Sequence, residues 1–196
     1  MDSSFLPLVL SFGYIGLFAL VFAESGLLFG VFLPGDSVLF SVGLLASQGS
    51  LDIKILVPLI ITAAILGDSV GYWFGAKVGP KLFEREDSRI FKKKYLEETK
   101  GYFDTYGPLI LILARFIPAA RTFAPILAGV GRMKYSEFLR YNIIGGILWG
   151  AGVTLLGYYL GSYIPGIDQY LYPIIGLIIL VSALPVAFQW YKTRSR

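Results

Sequence analysis

The segment ARFIPAARTFAP, residues 114–125, places two arginines and two prolines within one of the most apolar parts of the chain. Proline lacks the backbone N–H that a helix interior needs, and arginine stays charged at any relevant pH. Charged residues flank the wider apolar stretch 106–131 on both sides, and about 26 residues cannot cross a bilayer twice. The sequence therefore predicts a re-entrant hairpin that enters and leaves on one face, with Pro118 and Pro125 near its break.

The composition predicts an all-α integral membrane protein. Hydrophobic residues make up 56% of the 196 residues and charged residues only 15%, which is too little polar surface for an ordinary soluble domain. The chain has no cysteine and no histidine, so disulfides, imidazole metal sites and histidine-dependent nucleophiles are excluded. We expect no cofactor and no metal, and attribute the net charge of +4 to membrane topology rather than to nucleic-acid binding.

The apolar pattern predicts one membrane domain that covers residues 1–196, with two re-entrant hairpins and about three full spans. Most Lys and Arg residues lie in stretches that the positive-inside rule assigns to the cytoplasm, including the C-terminal tail. A multi-pass protein of the inner (plasma) membrane with a cytoplasmic C-terminus is therefore expected. In chain order the segments are a first hairpin at about 14–47, a span at about 55–78, a charged cytoplasmic linker at 81–104, the second hairpin at about 106–131, and spans at about 135–164 and 170–191.

Two short motifs indicate an internal repeat. GYWFG occupies residues 71–75 near the end of one predicted span, and GYYLG occupies residues 157–161 near the end of another. The two spans run in opposite directions, so the repeats are predicted to be inverted, as is common in secondary transporters. Glycines four residues apart also favour close helix packing.

Five ionisable residues are predicted to lie at membrane depth: Glu24, Asp36, Asp68, Arg115 and Arg121. Each costs roughly 2.5 to 3.5 kcal/mol at the centre of a lipid-facing helix, so these side chains must pair or line a wet cavity. The first hairpin carries acids and the second carries arginines. If the hairpins meet tip to tip, the acids face the arginines.

This arrangement favours a phosphate site. The planar guanidinium group of Arg115 or Arg121 matches phosphate oxygens bidentately. Glu24 and Asp36 are predicted to compete with the phosphate for these arginines or to relay protons, which would couple transport to an ion gradient. The alternative is an ion-pair cluster that only fixes the docking of the hairpins.

Several motifs together resemble the DedA family, whose shared core is also called the VTT or SNARE-associated domain. The resemblance covers about residues 10–190. It rests on Glu24 followed by FLPGD (32–36), on GDSVGYWFG (67–75), on ARFIPAART (114–122), and on FLRYNIIGGILW (138–149), which contains Asn142.

The resemblance implies two re-entrant hairpins in inverted repeats and a role in moving lipids between leaflets. Bacterial members of the family include transporters that return undecaprenyl phosphate to the cytoplasmic leaflet, and eukaryotic relatives scramble phospholipids. The essential acidic pair of the family matches Glu24 and Asp36, and its essential arginine pair matches Arg115 and Arg121. Asp68 and Asn142 are implied to have supporting roles.

We therefore expect a transporter and not an enzyme, with a lipid phosphate, the bilayer, and protons or sodium ions as partners. Carriers of a small anion or drug and non-selective phospholipid scramblases are alternatives that need the same charged residues. An intramembrane aspartyl protease that uses Asp36 and Asp68 is disfavoured, because the expected GxGD pattern is absent. A homo-oligomer is an open alternative to a monomer.

Overall fold

The computed structural model describes residues 5–27, 35–83 and 107–164, together with position 173. Within these ranges the chain is helical and contains no strand, as predicted. A 3-10 turn, Gly107–Leu109, and a π-helical turn, Ile147–Ala151, accompany the α-helices. The described helices are α1 (Phe5–Gly26), α2 (Gly35–Ser47), α3 (Ile53–Phe83), α4 (Ile110–Ala114), α5 (Pro118–Val130), α6 (Tyr135–Gly146) and α7 (Gly152–Tyr163).

Two stretches of the described chain are long and apolar enough to cross a membrane. They are Ile53–Val78 within α3, and Tyr135–Tyr163, which comprises α6, the π-helical turn and α7. Both coincide with predicted spans. Helix α3 continues to Phe83 and so includes the first three residues of the predicted linker. The predicted span 170–191, the rest of the linker and the turn of the first hairpin lie outside the described residues, apart from position 173.

The described residues combine buried charges with exposed large apolar side chains, which is unusual for a soluble domain. Among the described residues four charged side chains are buried, while large apolar side chains on α3, α7 and the break before α5 are more than half exposed. Lipid is the environment in which apolar side chains face outward and charges are held inside. The buried group comprises Glu24, Asp68, Arg115 and Arg121, and the exposed group includes Trp73, Phe116, Ile117 and Leu156.

The helix break predicted in the arginine-rich segment lies between α4 and α5. Ile117 has extended backbone angles, φ −119° and ψ 113°, because the ring of the following Pro118 excludes the helical conformation. Pro118 then begins α5, where its missing N–H costs nothing. Pro125, in contrast, lies inside α5 and not at the break. It leaves the carbonyl group four residues earlier, that of Arg121, without its helical donor.

Helices α1 and α5 pack on α3, and glycine determines how closely they approach it. A Cβ atom on Gly67 would lie 2.7 Å from the carbonyl oxygen of Phe22 in α1, and a Cβ atom on Gly75 would overlap the carbonyl oxygen of Ile126 in α5. Only a residue without a side chain fits at such distances. The predicted close packing along this glycine series is confirmed.

Helices α2 and α7 form the second close pair. A Cβ atom on Gly43 would overlap the carbonyl oxygen of Thr154, and a Cβ atom on Gly157 would overlap that of Phe40. Helix α5 therefore packs on the motif GYWFG, and helix α2 packs on the motif GYYLG. The second helix of each predicted hairpin packs on the span of the other half of the chain.

Replacement of Gly75 by alanine tests this packing. The new methyl group has no space beside Ile126, so we expect Gly75→Ala to lower the free energy of unfolding by about 1 to 3 kcal/mol. The control is Gly16→Ala in α1, where a Cβ atom meets nothing within 4 Å and alanine favours the helix by up to about 1 kcal/mol. Thermal unfolding in detergent measures both. Equal melting temperatures for the two variants would contradict the close approach.

Candidate functional site

Arg121 lies at the centre of a buried cluster formed by three helices. Its Nη2 atom donates to Glu24 Oε1 at the end of α1. Its Nη1 atom donates over 2.9 Å to Asp36 Oδ1 at the start of α2. One arginine from α5 therefore bridges an acid of α1 and an acid of α2. We call Glu24, Asp36, Arg121 and Trp149 the Arg121 cluster.

The two acids of the Arg121 cluster differ in exposure. The Glu24 side chain is completely buried, whereas 48% of the Asp36 side chain is exposed. Glu24 Oε1 also accepts a hydrogen bond from the backbone N–H of Gly35 over 3.0 Å. A Cβ atom on Gly35 would overlap the Glu24 carboxylate, so glycine at this position lets the backbone reach the acid. Asp36 is the member of this ion-paired group that is open to the surroundings.

Trp149 completes the Arg121 cluster from the π-helical turn. Its indole Nε1–H donates over 2.7 Å to Asp36 Oδ1, and the Arg121 guanidinium carbon lies 5.1 Å from the centroid of its ring. This distance is typical of a cation–π contact. The side chain is almost completely buried. Trp149 therefore contacts the acid and the base of one ion pair at the same time.

Arg115 belongs to a separate group of buried polar residues, which we call the Arg115 cluster. Its Nη2 atom donates to Asp68 Oδ2 in α3 and to Asn142 Oδ1 in α6. Asn142 in turn donates from Nδ2 to the carbonyl oxygen of Ile65 over 3.0 Å. Arg115, Asp68 and Asn142 are each at most 5% exposed. This cluster joins the break between α4 and α5 to both long helices.

Glycine also makes room for Arg115. A Cβ atom on Gly145 would lie 2.8 Å from Arg115 Cδ and 2.9 Å from its Nε. These contacts are too short for real side chains, so the arginine stem lies directly on the α6 backbone. The sequence motif around Gly145 and Gly146 thus serves a charged side chain as well as helix packing.

Both arginines retain unused hydrogen-bonding capacity. The Nε donors of Arg115 and Arg121, the Thr122 hydroxyl group and Glu24 Oε2 are buried and have no partner among the described residues. Buried polar atoms are normally paired, and unpaired ones often indicate a ligand or water site. Three of these four groups can donate a hydrogen bond, so an anion is the ligand that they suit best.

The predicted site residues are therefore brought together in two groups, and the arginines have different partners. Arg121 faces Glu24 and Asp36, as predicted for hairpins that meet. Arg115 contacts neither of these acids in any described hydrogen bond and pairs with Asp68 and Asn142 instead. The predicted convergence of both arginines on the same two acids is wrong, because the break after α4 directs Arg115 toward α3 and α6.

Sequence reasoning assigned no role to Trp149 or to Gly35. Trp149 lies in an apolar span, where an aromatic residue signals packing or lipid contact, and nothing local predicts a π-helical turn. Gly35 belongs to the quoted FLPGD motif. The need for glycine at this position arises from the contact of its backbone with Glu24, which is eleven residues away in the sequence.

Comparison with known proteins agrees with this architecture. Residues 33–159, well over half of the chain, match the VTT domain family. The chain is 48% identical over 184 residues to the membrane protein Rv0364 of Mycobacterium tuberculosis, covering 91% of this chain and 80% of that protein. It is 43% identical to protein DedA of Escherichia coli (94% and 86% covered) and 34% identical to inner membrane protein YghB of the same bacterium (84% and 74%). No solved structure matches significantly.

The fold and the buried ion pairs define a helical membrane protein with charged side chains held between its helices. The chain belongs to the DedA family, whose common core is the VTT domain. The family resemblance read from the sequence motifs is confirmed.

The Arg115 cluster predicts a large stability effect at Asp68. Asp68→Asn removes the negative charge and leaves the buried Arg115 guanidinium group uncompensated, so we expect a loss of about 3 to 5 kcal/mol in the free energy of unfolding. Glu137→Gln, at an exposed carboxylate in the first turn of α6, is the matched control and should cost less than about 1 kcal/mol. Denaturation in detergent compares the two. A loss at Asp68 no larger than at Glu137 would mean that the buried pair is not formed.

Proposed function

We propose that this protein is an ion-gradient-coupled transporter that flips a polyprenyl phosphate, such as undecaprenyl phosphate, between the leaflets of the membrane. In this proposal Arg121 binds the phosphate headgroup, and Glu24 and Asp36 couple binding to protons or sodium ions. The prenyl tail stays in the bilayer during the movement. The protein is a transporter and not an enzyme.

The observation that carries the proposal is the position of Arg121 between a buried acid and a half-exposed one. Both of its Nη atoms are used by carboxylates, and its Nε donor is unpartnered among the described residues. A phosphate group offers the same kind of oxygen acceptors as a carboxylate and can replace Asp36 on the guanidinium fork. Asp36 is half exposed, so this exchange is open to a molecule that approaches from outside the cluster.

The charge balance supplies a reason for ion coupling. The ion-paired groups of the two clusters comprise two arginines and three carboxylates, which give a net charge of −1 when all are ionised. An anionic headgroup is repelled by this charge. Protonation of Glu24 and Asp36 changes the balance to +1 and frees Arg121 for the phosphate, so entry of the substrate and uptake of protons favour each other.

Arg115 has a different part in the proposal. Its guanidinium group is paired with Asp68 and Asn142, which holds a positive charge in place at the break between α4 and α5. Its unpartnered Nε donor can add one hydrogen bond to a phosphate. Arg121 is therefore the main phosphate ligand, and Arg115 is a positioning residue with a supporting contact.

Apolar surface next to the charged break supports a lipid substrate over a small anion. Phe116 and Ile117 lie between the two arginines in sequence and are 57% and 58% exposed. A prenyl chain can contact this surface while its headgroup enters between the helices. A soluble anion would gain nothing from these side chains.

The packing pattern supports inverted repeats with re-entrant hairpins. The second helix of each hairpin, α2 or α5, lies on a glycine motif in the span of the other half. Reciprocal packing of this kind is expected when two related halves of a chain dock face to face. The site then lies at the interface between the halves, where secondary transporters bind their substrates.

The separation of the two aspartates also favours transport over proteolysis. Asp36 and Asp68 each pair with a different arginine, whereas an aspartyl protease needs two carboxyl groups that share a proton. The relative YghB is named as an inner membrane protein, which supports the inner membrane as the location. The cytoplasmic C-terminus remains a prediction of the charge pattern.

Replacement of Arg121 by lysine tests the phosphate ligand. Lysine keeps the charge but loses the bidentate fork, so we expect Arg121→Lys to lower the rate of undecaprenyl phosphate flipping in liposomes by about tenfold or more. Lys134→Arg, at an exposed cation, is the control and should flip normally. Unchanged flipping by folded Arg121→Lys would exclude Arg121 as the phosphate ligand, and equal flipping of an ordinary phospholipid by the native protein would indicate a scramblase.

Replacement of Glu24 by glutamine tests the coupling. The amide can no longer gain or lose a proton, so flipping by Glu24→Gln should lose its response to an imposed pH gradient. Flipping is measured in liposomes with and without that gradient, and then with a sodium gradient. Glu137→Gln is the control and should respond as the native protein does. A full pH response in Glu24→Gln would show that this carboxylate does not carry the coupling proton.

A further inference from the structure

Trp149 lies in the long span at the point where the backbone hydrogen bonds change from the α-helical to the π-helical pattern. The turn Ile147–Ala151 is π-helical and is flanked by α-helix on both sides. A π-helical turn inserts one extra residue and rotates the side chains that follow, and such turns are frequent at functional sites. Here the rotation brings an almost completely buried indole ring against Asp36 and Arg121.

The hydrogen bonds of Asp36 converge on one atom. Asp36 Oδ1 accepts from Arg121 Nη1 over 2.9 Å and from Trp149 Nε1 over 2.7 Å. The indole N–H is a neutral donor that keeps its proton at every relevant pH. It therefore stays available to Asp36 whether or not the guanidinium group is engaged elsewhere.

We propose that Trp149 is a positioning residue that holds Asp36 after a phosphate headgroup has displaced it from Arg121. This inference rests on the proposed function, because it concerns the exchange of Asp36 for phosphate at Arg121. With the indole present, the released carboxylate keeps one strong hydrogen bond and a defined position. Without it, the carboxylate loses both of its described donors at the moment of substrate binding.

Loss of the indole donor should destabilise the phosphate-bound protein more than the unliganded protein. In the unliganded protein Asp36 has two donors, so the loss of one leaves the ion pair with Arg121 intact. In the liganded protein the indole is the donor that remains, so its loss destabilises that state more. Substitution of Trp149 should therefore weaken phosphate binding, and this weakening should require a charged residue at position 36.

A double-mutant cycle tests this requirement. The equilibrium affinity for undecaprenyl phosphate is measured in detergent for the native protein, Trp149→Phe, Asp36→Asn and the double variant. We expect Trp149→Phe to weaken binding about tenfold in the native background. In the Asp36→Asn background, where no charge needs the indole donor, the same change should weaken binding less than about twofold. Trp73→Phe, at an exposed tryptophan of α3, is the matched control and should bind normally.

The outcomes separate this inference from the proposed function. Equal weakening by Trp149→Phe in both backgrounds indicates lost packing alone and overturns the role of Trp149. Normal binding by Arg121→Lys, or no binding by the native protein, overturns the phosphate site itself.

A second measurement avoids any effect of the substitution on folding. In Trp73→Phe/Trp190→Phe, Trp149 is the single tryptophan of the chain. Its emission should change on addition of undecaprenyl phosphate, because the exchange breaks the Arg121–Asp36 ion pair that contacts the ring. Unchanged emission at a saturating concentration contradicts the exchange.

Discussion

The structure depends on one electrostatic constraint: charges inside a membrane protein must be compensated by neighbours that are also inside. Arg121 is compensated by acids from two different helices, and Arg115 by an acid and an amide from two others. Each arginine therefore fixes the relative positions of three segments of chain. Hydrophobic packing alone is a weak organiser in lipid, because the tails of the lipids are as apolar as the side chains. The ion pairs supply the specificity that packing lacks.

Glycine makes these ion pairs geometrically accessible. Gly35 and Gly145 let carboxylate and guanidinium groups lie directly on the backbone of a neighbouring segment, and Gly43 and Gly75 let whole helices approach one another. Helix breaks have the complementary effect. Polar side chains near a break can turn inward, while apolar neighbours such as Phe116 remain exposed. The same segment thus presents a charged inner surface and an apolar outer one.

The two clusters differ in exposure and in the kinds of partner that hold each arginine. The Arg115 cluster is buried and held by an acid, an amide and the α6 backbone, which suits a fixed support. The Arg121 cluster includes a half-exposed carboxylate and a tryptophan whose N–H supports it. Exchange of partners costs least where a second donor is already present. A site that must bind and release an anion is therefore best built around Arg121.

The sequence alone determined the class of protein. Composition and local chemistry predict its apolar spans, the helix break at Pro118 and the motifs of the DedA family. These features do not depend on contacts between distant residues. The sequence also showed that Glu24, Asp36, Asp68, Arg115 and Arg121 need partners. Which acid meets which arginine was decided only by the tertiary structure, because pairing depends on helix direction and rotation. For the same reason the inward position of Trp149, which follows from one extra residue in a π-helical turn, has no signature in the chain.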